Sequence, residues 1–232
     1  DGSDVRSFTV TLGSEGQARI AGDFGGALDR NVGARLNAVY EDSETFRDFV
    51  EIERLGIAPA FRFDLSDDTR LDVFAEYFED NRTVDRGVPS MGNRPWPGDE
   101  STYFGNPVIS NSEISVTTLR GVLTHSLRDD LTVRSVLSYG DYDKFYQNAY
   151  PGGAVDPVAG TVPISAYNSS TTRENLLFQT DLIWEPQIGG LEQTILFGLE
   201  AGHQESANIR VNAAGSVFAI GDRGRNFLPN FN

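Results

Sequence analysis

The chain has 232 residues, of which 39% are hydrophobic, 11% aromatic and 23% charged, with no cysteine and two histidines. No run approaches the roughly 18 uninterrupted apolar residues of a membrane-spanning helix, which excludes a helical membrane protein. The lack of cysteine excludes disulfide scaffolds, zinc–thiolate and iron–sulfur sites and a cysteine nucleophile. Nineteen basic against 34 acidic residues give a formal net charge of −15. Such a field repels phosphate backbones, so nucleic acid is not an expected partner.

Alternation of apolar and polar residues with a period of two is the main signal along the chain, and helical spacing is nowhere sustained. A weaker pair of strands is predicted at 6–12 and 17–28, followed by a strand at 32–41. The sharpest run covers residues 55–65, and one face of it carries Leu55, Ile57, Pro59, Phe61, Phe63 and Leu65. The opposite face is small and polar, so it does not have the character of a protein core.

Three hairpins follow from the same pattern, and their connections alternate in length. The predicted hairpins pair 55–65 with 71–80, 114–127 with 131–145, and 175–185 with 191–204, through turns at 66–69, 128–130 and 186–190. Long loops are predicted at 82–113, 144–172 and 205–232. Structureless loops beyond about 12–15 residues are uncommon in soluble domains, whereas outer-membrane barrels alternate short turns with long loops.

The predicted fold is therefore all-β, an antiparallel transmembrane β-barrel. The runs have the length of about 9–11 residues that a tilted strand needs to cross a bilayer. A wide barrel shows only one face of each strand to lipid, which accounts for the low hydrophobic content. Aromatic residues near strand ends, such as Tyr40, Tyr77 and Trp184, fit an interfacial girdle. The alternative is a soluble β-sandwich, whose strands are typically only about 5–6 residues long.

Several segments resemble TonB-dependent siderophore receptors. The stretch 40–50 and the following 54–60 are similar to early barrel strands of that family, and 65–69 is similar to its periplasmic turn. The most specific elements are Asp85-Arg86-Gly87-Val88-Pro89-Ser90 and the downstream Tyr103-Phe104-Gly105-Asn106-Pro107. The pattern continues to 197–202, so the resemblance covers nearly the whole chain.

This resemblance implies a plugged barrel of about 22 strands, of which the chain would be a segment of roughly ten. The expected domain organisation is one partial barrel domain over residues 1–232, with the plug and the closing strands outside the chain. The implied location is the bacterial outer membrane, and the implied partners are a ferric siderophore, outer-membrane lipid and the TonB complex, the last through the plug region. Iron is expected only as part of the substrate, so no cofactor is predicted.

The resemblance also implies where the ligand binds. In that family the ferric siderophore is held by the plug and by aromatic and basic residues of the barrel wall and loops. Arginine, tyrosine and tryptophan supply donors and flat apolar faces for an oxygen-rich chelate. The matching candidates are Arg86, Arg94, Trp96, Tyr103 and Phe104 in the first long loop, and Tyr142, Tyr146, Tyr150 and Tyr167 around the second.

No residue pattern predicts catalysis or a metal site. His125 and His203 stand far apart with no adjoining ligand cluster, and a metal site needs three or four convergent ligands. No nucleophile elbow, phosphate loop or dinucleotide fingerprint occurs, so an enzyme is not predicted. The predicted function is TonB-coupled import of a ferric siderophore. A general outer-membrane porin and a soluble β-sandwich binding module are the alternatives.

Overall fold

The computed structural model describes residues 4–231, which form β-strands, turns and loops. Within that range no helix is long and apolar enough to cross a membrane. The strands are β1 Val5–Leu12, β2 Ala18–Asp29, β3 Val32–Glu44, β4 Glu51–Ser66, β5 Thr69–Thr83, β6 Ser90–Met91, β7 Arg94–Pro95, β8 Asn111–Arg128, β9 Leu131–Pro151, β10 Thr161–Trp184, β11 Gln187–Ile188, β12 Leu191–Glu192 and β13 Ile195–Ala219.

The nine long strands form one antiparallel sheet in which each strand pairs with its neighbour in sequence. The order is β1-β2-β3-β4-β5-β8-β9-β10-β13. The two-residue strands form two separate small hairpins, β6 with β7 and β11 with β12. The all-β antiparallel prediction is confirmed, and the single sheet differs from the two packed sheets of a sandwich. In the described part of the chain β1 and β13 are the edges, so these nine strands do not close a barrel.

The two faces of the sheet differ in chemistry. We call the side of Leu55 the outer face and the side of Arg54 the inner face; directly opposed residues on neighbouring strands share a face. On the outer face Leu55, Ile57 and Phe61 are 44%, 43% and 40% exposed. On the inner face of the same strand Gly56 is buried. The large apolar side chains of residues 55–65 therefore point away from the protein, as the barrel prediction requires.

The connections separate the two ends of the sheet. At the turn end lie residues 30–31, 67–68, 129–130 and 185–194, and at the loop end lie 13–17, 45–50, 84–110 and 152–160. The predicted hairpins are confirmed as the pairs β4 with β5, β8 with β9, and β10 with β13. The loop predicted at 82–113 is found at 84–110.

The loops predicted at 144–172 and 205–232 are wrong over most of their length. β9 continues to Pro151, β10 begins at Thr161, and β13 continues to Ala219. The register between β9 and β10 stays regular through this stretch. The alternation of apolar residues fades there because both faces carry polar side chains, while Tyr, Phe and Thr still favour an extended backbone. Loss of the apolar period marks the end of the apolar band, not the end of the strand.

A small hydrophobic core lies at the loop end and holds three segments together. Its buried residues are Phe104, Ala149, Val155, Val162, Ile164, Ala166 and Phe227. Backbone hydrogen bonds add to this packing, from Gly105 N to Arg223 O at 2.8 Å and from Val155 N to Ser90 O at 2.8 Å. Loop 84–110, the tips of β9 and β10, and residues 220–231 therefore form one packed unit.

Candidate functional site

Two arginines and three tyrosines meet at the loop end of the sheet. The guanidinium carbon of Arg86 lies 4.9 Å from the ring centroid of Tyr150, and that of Arg210 lies 3.8 Å from the ring centroid of Tyr167. Tyr146 stacks on Tyr167 with centroids 5.5 Å apart and ring planes 27° apart. Tyr150 meets Tyr167 edge-on at 5.9 Å. We call these five residues the Arg–Tyr cluster.

Strand register places four members of the cluster on the inner face. Tyr146 opposes Ser169, which opposes Arg210 on β13. Tyr167 opposes Asn148, which lies between Tyr146 and Tyr150 on β9.

Asn148 is fully buried beneath these rings. Its Nδ2 donates to the Tyr146 hydroxyl at 3.1 Å, while its Oδ1 has no hydrogen-bond partner among the described residues. The Tyr146 side chain is thus fixed from below by a second side chain of the same strand.

The fifth member, Arg86, reaches the cluster from loop 84–110. The preceding Asp85 accepts from Arg47 Nε at 3.0 Å and from Gly87 N at 2.9 Å. Gly87 has a φ of +78°, a backbone conformation that glycine adopts without strain. A hydrogen bond with the neighbouring Tyr146 hydroxyl raises the pKa of Arg86 above its ordinary value. The charged guanidinium of Arg86 therefore lies over the inner face, and the contacts of Asp85 with Arg47 and Gly87 fix the loop next to it.

Tyr103 and Phe104 lie inside the loop and not at its surface. Both are 1% exposed. The Tyr103 hydroxyl donates to Val84 O at 2.7 Å, and burial raises the pKa of Tyr103 to about 12. Phe104 packs edge-on against Trp96, with centroids 5.1 Å apart. In this conformation Tyr103 and Phe104 offer no surface to a ligand, and Trp96 is engaged with the loop core.

Arg94 and Tyr142 lie outside the cluster. Arg94 is an exposed residue of the small strand β7. Tyr142 is 38% exposed and lies on the inner face of β9, four residues before Tyr146. Of the predicted site residues, the structure thus brings together Arg86, Tyr146, Tyr150 and Tyr167.

Arg210 and Asn148 belong to the site but were missed by the sequence reasoning. Arg210 lies in the segment 205–232, which the alternation predicts to be a loop. A loop prediction does not say to which face of a sheet a side chain points. Had the hairpin register been extended outward from the turn at 186–190, it would have placed Arg210 on the inner face beside Ser169. Asn148 has no sequence signal, because only its burial under the tyrosines distinguishes it.

The charges on the inner face fall into two halves. On β2–β5 all of them except Glu76 form ion pairs within the described chain, among them Arg35 with Asp23 at 2.6 Å, Arg62 with Asp72 at 2.7 Å, and Asp80 with both Arg54 and Arg82. We call this the paired half.

The second half consists of Arg86 and the inner-face cations in the loop-end parts of β9, β10 and β13, namely Lys144, Arg173 and Arg210. In residues 4–231 none of these four has a carboxylate within ion-pair distance. We call this the unpaired half. In a chain of net charge −15, it is a local concentration of available positive charge.

The outer face of the same strands has the opposite sign. Asp141 opposes Glu174, and Glu174 opposes Glu205. Consecutive residues such as Asp143 and Lys144 point to opposite faces because the strand has a period of two. The carboxylates of these strands therefore point away from the cations of the inner face.

This arrangement defines the class of protein. Long antiparallel strands with a lipid-compatible outer face, tight turns at one end and loops at the other are the wall of an outer-membrane β-barrel protein. The cationic aromatic cluster lies on the inner face at the loop end.

No protein-family model matches the chain. The metal-pseudopaline receptor CntO of Pseudomonas aeruginosa is 28% identical over 176 residues, which are 72% of this chain and 23% of that protein. The catecholate siderophore receptor Fiu of Escherichia coli is 23% identical over 228 residues, 88% of this chain and 30% of that protein. The ferripyoverdine receptor of the Pseudomonas aeruginosa outer membrane, solved with ferripyoverdine bound, has a TM-score of 0.81 at 19% identity, over 99% of this chain and 32% of that one.

These relatives and structural neighbours are TonB-dependent siderophore receptors, and the chain matches a partial barrel region of them. They are receptors and transporters, not enzymes. The chain spans 23% and 30% of the lengths of the two curated relatives. The location that follows is the bacterial outer membrane.

Proposed function

We propose that this chain is part of the barrel wall of a receptor that binds a ferric siderophore at its extracellular side and imports it by TonB-coupled active transport. The protein does no catalytic chemistry on its ligand, and iron enters only as part of the substrate. The plug and the contact with TonB belong to parts of the receptor outside this chain. The names of the relatives support the ligand class.

The observation that carries the proposal is the Arg–Tyr cluster. Arg86, Tyr146, Tyr167 and Arg210 come from four separate segments, yet they converge on the inner face at the loop end. Two guanidinium groups without carboxylate partners in the described range suit an oxygen-rich anion.

The unpaired half supplies attraction over a longer range. Clefts lined by charge of one sign concentrate ligands of the opposite sign and speed their association. The packed unit of loop 84–110, the tips of β9 and β10, and residues 220–231 holds Arg86 in place, which lowers the ordering cost on binding. Gly105 is part of this packing: its φ is +111°, and a side chain there would collide with the Ala149 carbonyl.

The experiment is a binding titration of the full-length receptor in detergent against a panel of iron-loaded and iron-free siderophores. We expect binding that requires iron, and an affinity at least about tenfold lower in the double variant Arg86→Ala/Arg210→Ala, since two charge-assisted contacts are lost. Arg120→Ala is the matched control, because Arg120 lies on the inner face of β8 far from the loop end.

Two outcomes would contradict the proposal. Binding of a cobalamin or a sugar with no binding of any ferric chelate would refute the siderophore assignment and leave the barrel intact. Steady ion conductance through a planar bilayer, without iron-dependent binding, would favour a general porin.

A further inference from the structure

We propose that this site recognises its ferric chelate through peripheral carboxylate groups, and not by stacking on aromatic rings of the chelate. The inference deepens the proposed siderophore function and rests on it. It assigns the substrate to the carboxylate class of iron chelates.

At least one face of each tyrosine ring in the cluster is already covered by another residue of the chain. Arg210 lies over the Tyr167 ring at 3.8 Å, and Tyr146 stacks on the same ring from β9. Arg86 lies over the Tyr150 ring at 4.9 Å. A flat aromatic ligand would have to displace a cation–π contact of about 0.5–2 kcal/mol to stack on the covered face of Tyr150 or Tyr167.

The edges of the two guanidinium groups are only partly used by contacts within the chain. A guanidinium that rests on an aromatic ring directs its N–H groups within its own plane, and this planar fork matches both oxygens of a carboxylate. Arg86 and Arg210 are both exposed. Neither forms an ion pair with any residue of the range 4–231. Each guanidinium gives one N–H to a neighbour, Arg86 Nη1 to the Tyr167 hydroxyl at 3.4 Å and Arg210 Nε to Asn212 Oδ1 at 3.3 Å. The remaining N–H groups of each still offer a bidentate pair to a carboxylate, and the tyrosine ring beneath each guanidinium supports it.

The surroundings favour a ligand with several negative charges. From the Tyr142–Arg173 pair to the loop end, the inner-face positions of β8, β9, β10 and β13 carry no carboxylate. Lys144 and Arg173 continue the positive surface below the cluster. Charge alone would also suit a ferric tris-catecholate, so it is the covered ring faces that distinguish the two classes.

The test compares two iron chelates on the full-length receptor in detergent, ferric citrate as the carboxylate probe and a ferric tris-catecholate complex as the aromatic probe. We expect ferric citrate to bind at least about tenfold more tightly, a difference of roughly 1.4 kcal/mol. Arg86→Lys and Arg210→Lys should each weaken ferric citrate binding by about fivefold or more, because lysine keeps the charge and loses the fork. Arg120→Lys is the control and should leave the affinity unchanged.

Tyr142 provides the opposing measurement, since its ring is 38% exposed and no ring or guanidinium of the described chain stacks on it. Tighter binding of the tris-catecholate, with loss of that binding in Tyr142→Ala, would overturn the carboxylate assignment and leave the siderophore function standing. So would unchanged ferric citrate affinity in both lysine variants. Failure of every ferric chelate class to bind would instead refute the proposed function, and the inference with it.

Discussion

The paired and unpaired halves of the inner face use similar residues for different purposes. In the paired half, Asp80 is 2% exposed and is held by Arg54 and Arg82. Glu41 joins the same network, 3.3 Å from Arg54 and 3.9 Å from Arg19. Charges alternate across neighbouring strands, so Glu41, Asp72 and Asp80 are each neutralised by arginines of the wall itself.

In the unpaired half the charges are not neutralised by neighbouring strands of the described chain. Lys144 and Arg173 are exposed and have no carboxylate partner in the described chain. Leaving them unpaired costs little, because water solvates them, whereas an unpaired buried charge is expensive. An arginine on a barrel wall is therefore not by itself evidence of a binding site. The useful signal is a cation without a partner next to aromatic rings.

The largest effect is expected for Asp80→Asn in the paired half. The change leaves two guanidinium groups around a buried neutral amide, and breaking a buried ion pair is strongly destabilising. Because Arg54 and Arg82 are about one-third exposed, solvent screening reduces the cost to about 2–3 kcal/mol. Urea unfolding of the full-length receptor in detergent micelles measures it.

Asp64→Asn is the matched control for that variant. Asp64 pairs with Arg70 at 3.0 Å, also on the inner face, but both side chains are exposed. Its loss should cost no more than about 0.5 kcal/mol. If the two variants unfold at the same urea concentration, burial of Asp80 does not set the strength of the paired half.

A second, intermediate effect concerns the unpaired half and is expected in binding. Lys144→Glu reverses one of its four charges, so we expect the affinity for an anionic ferric chelate to fall by about tenfold at low salt. The loss should shrink as salt is added, because exposed charges are screened over about 8–10 Å at physiological ionic strength. A titration at two ionic strengths measures both effects.

Arg30→Glu makes the same change in net charge at the turn end, far from the cluster. It should alter the affinity by less than about twofold, since the distance exceeds the screening length. Equal losses in the two variants would show that total charge matters and that its location does not.

The turn-end part of the sheet could be predicted from the sequence because contact with lipid on one face constrains every strand there. Residues 55–65 have an apolar face toward lipid and a polar face inward, so period-two alternation gives the strand, its faces and its hairpin partner. The same reasoning located β5, β8 and the turn-end halves of β9, β10 and β13. Above the apolar band that constraint disappears, and the strand extensions to Pro151 and Ala219 left no periodic signal.

The site could be predicted in part, for a related reason. Arg86 and Tyr146 were found as residue types suited to an oxygen-rich chelate, but residue type does not reveal burial. Phe104 is also a residue type suited to contact with a chelate, but it is buried in the hydrophobic core of the loop end. The position of Arg210 follows from the register of β13, but the apolar alternation ends before Arg210 and does not predict that register. Three-dimensional packing decides which aromatic residues are platforms and which are core.

The smallest predicted effect is the difference in stability between two arginine-to-glutamine variants, one in each half. Arg62→Gln removes the partner of Asp72, which is 2.7 Å away and has a side chain 16% exposed. The carboxylate is left without its cation, so we expect a loss of about 1 kcal/mol in the free energy of unfolding. Arg173→Gln removes an unpaired cation, and we expect a change within about 0.3 kcal/mol.

Urea unfolding of both glutamine variants, in the same detergent and at the same ionic strength, measures this contrast. A loss in Arg173→Gln as large as that in Arg62→Gln would mean that the unpaired half also supports the wall. In that case Arg173 would have a structural partner in the receptor, and the distinction between the halves would fail at this position. A stable Arg173→Gln variant with weakened binding of an anionic chelate would instead support the distinction between the halves. The loss of charge would then lower the affinity for the ligand and leave the free energy of unfolding unchanged.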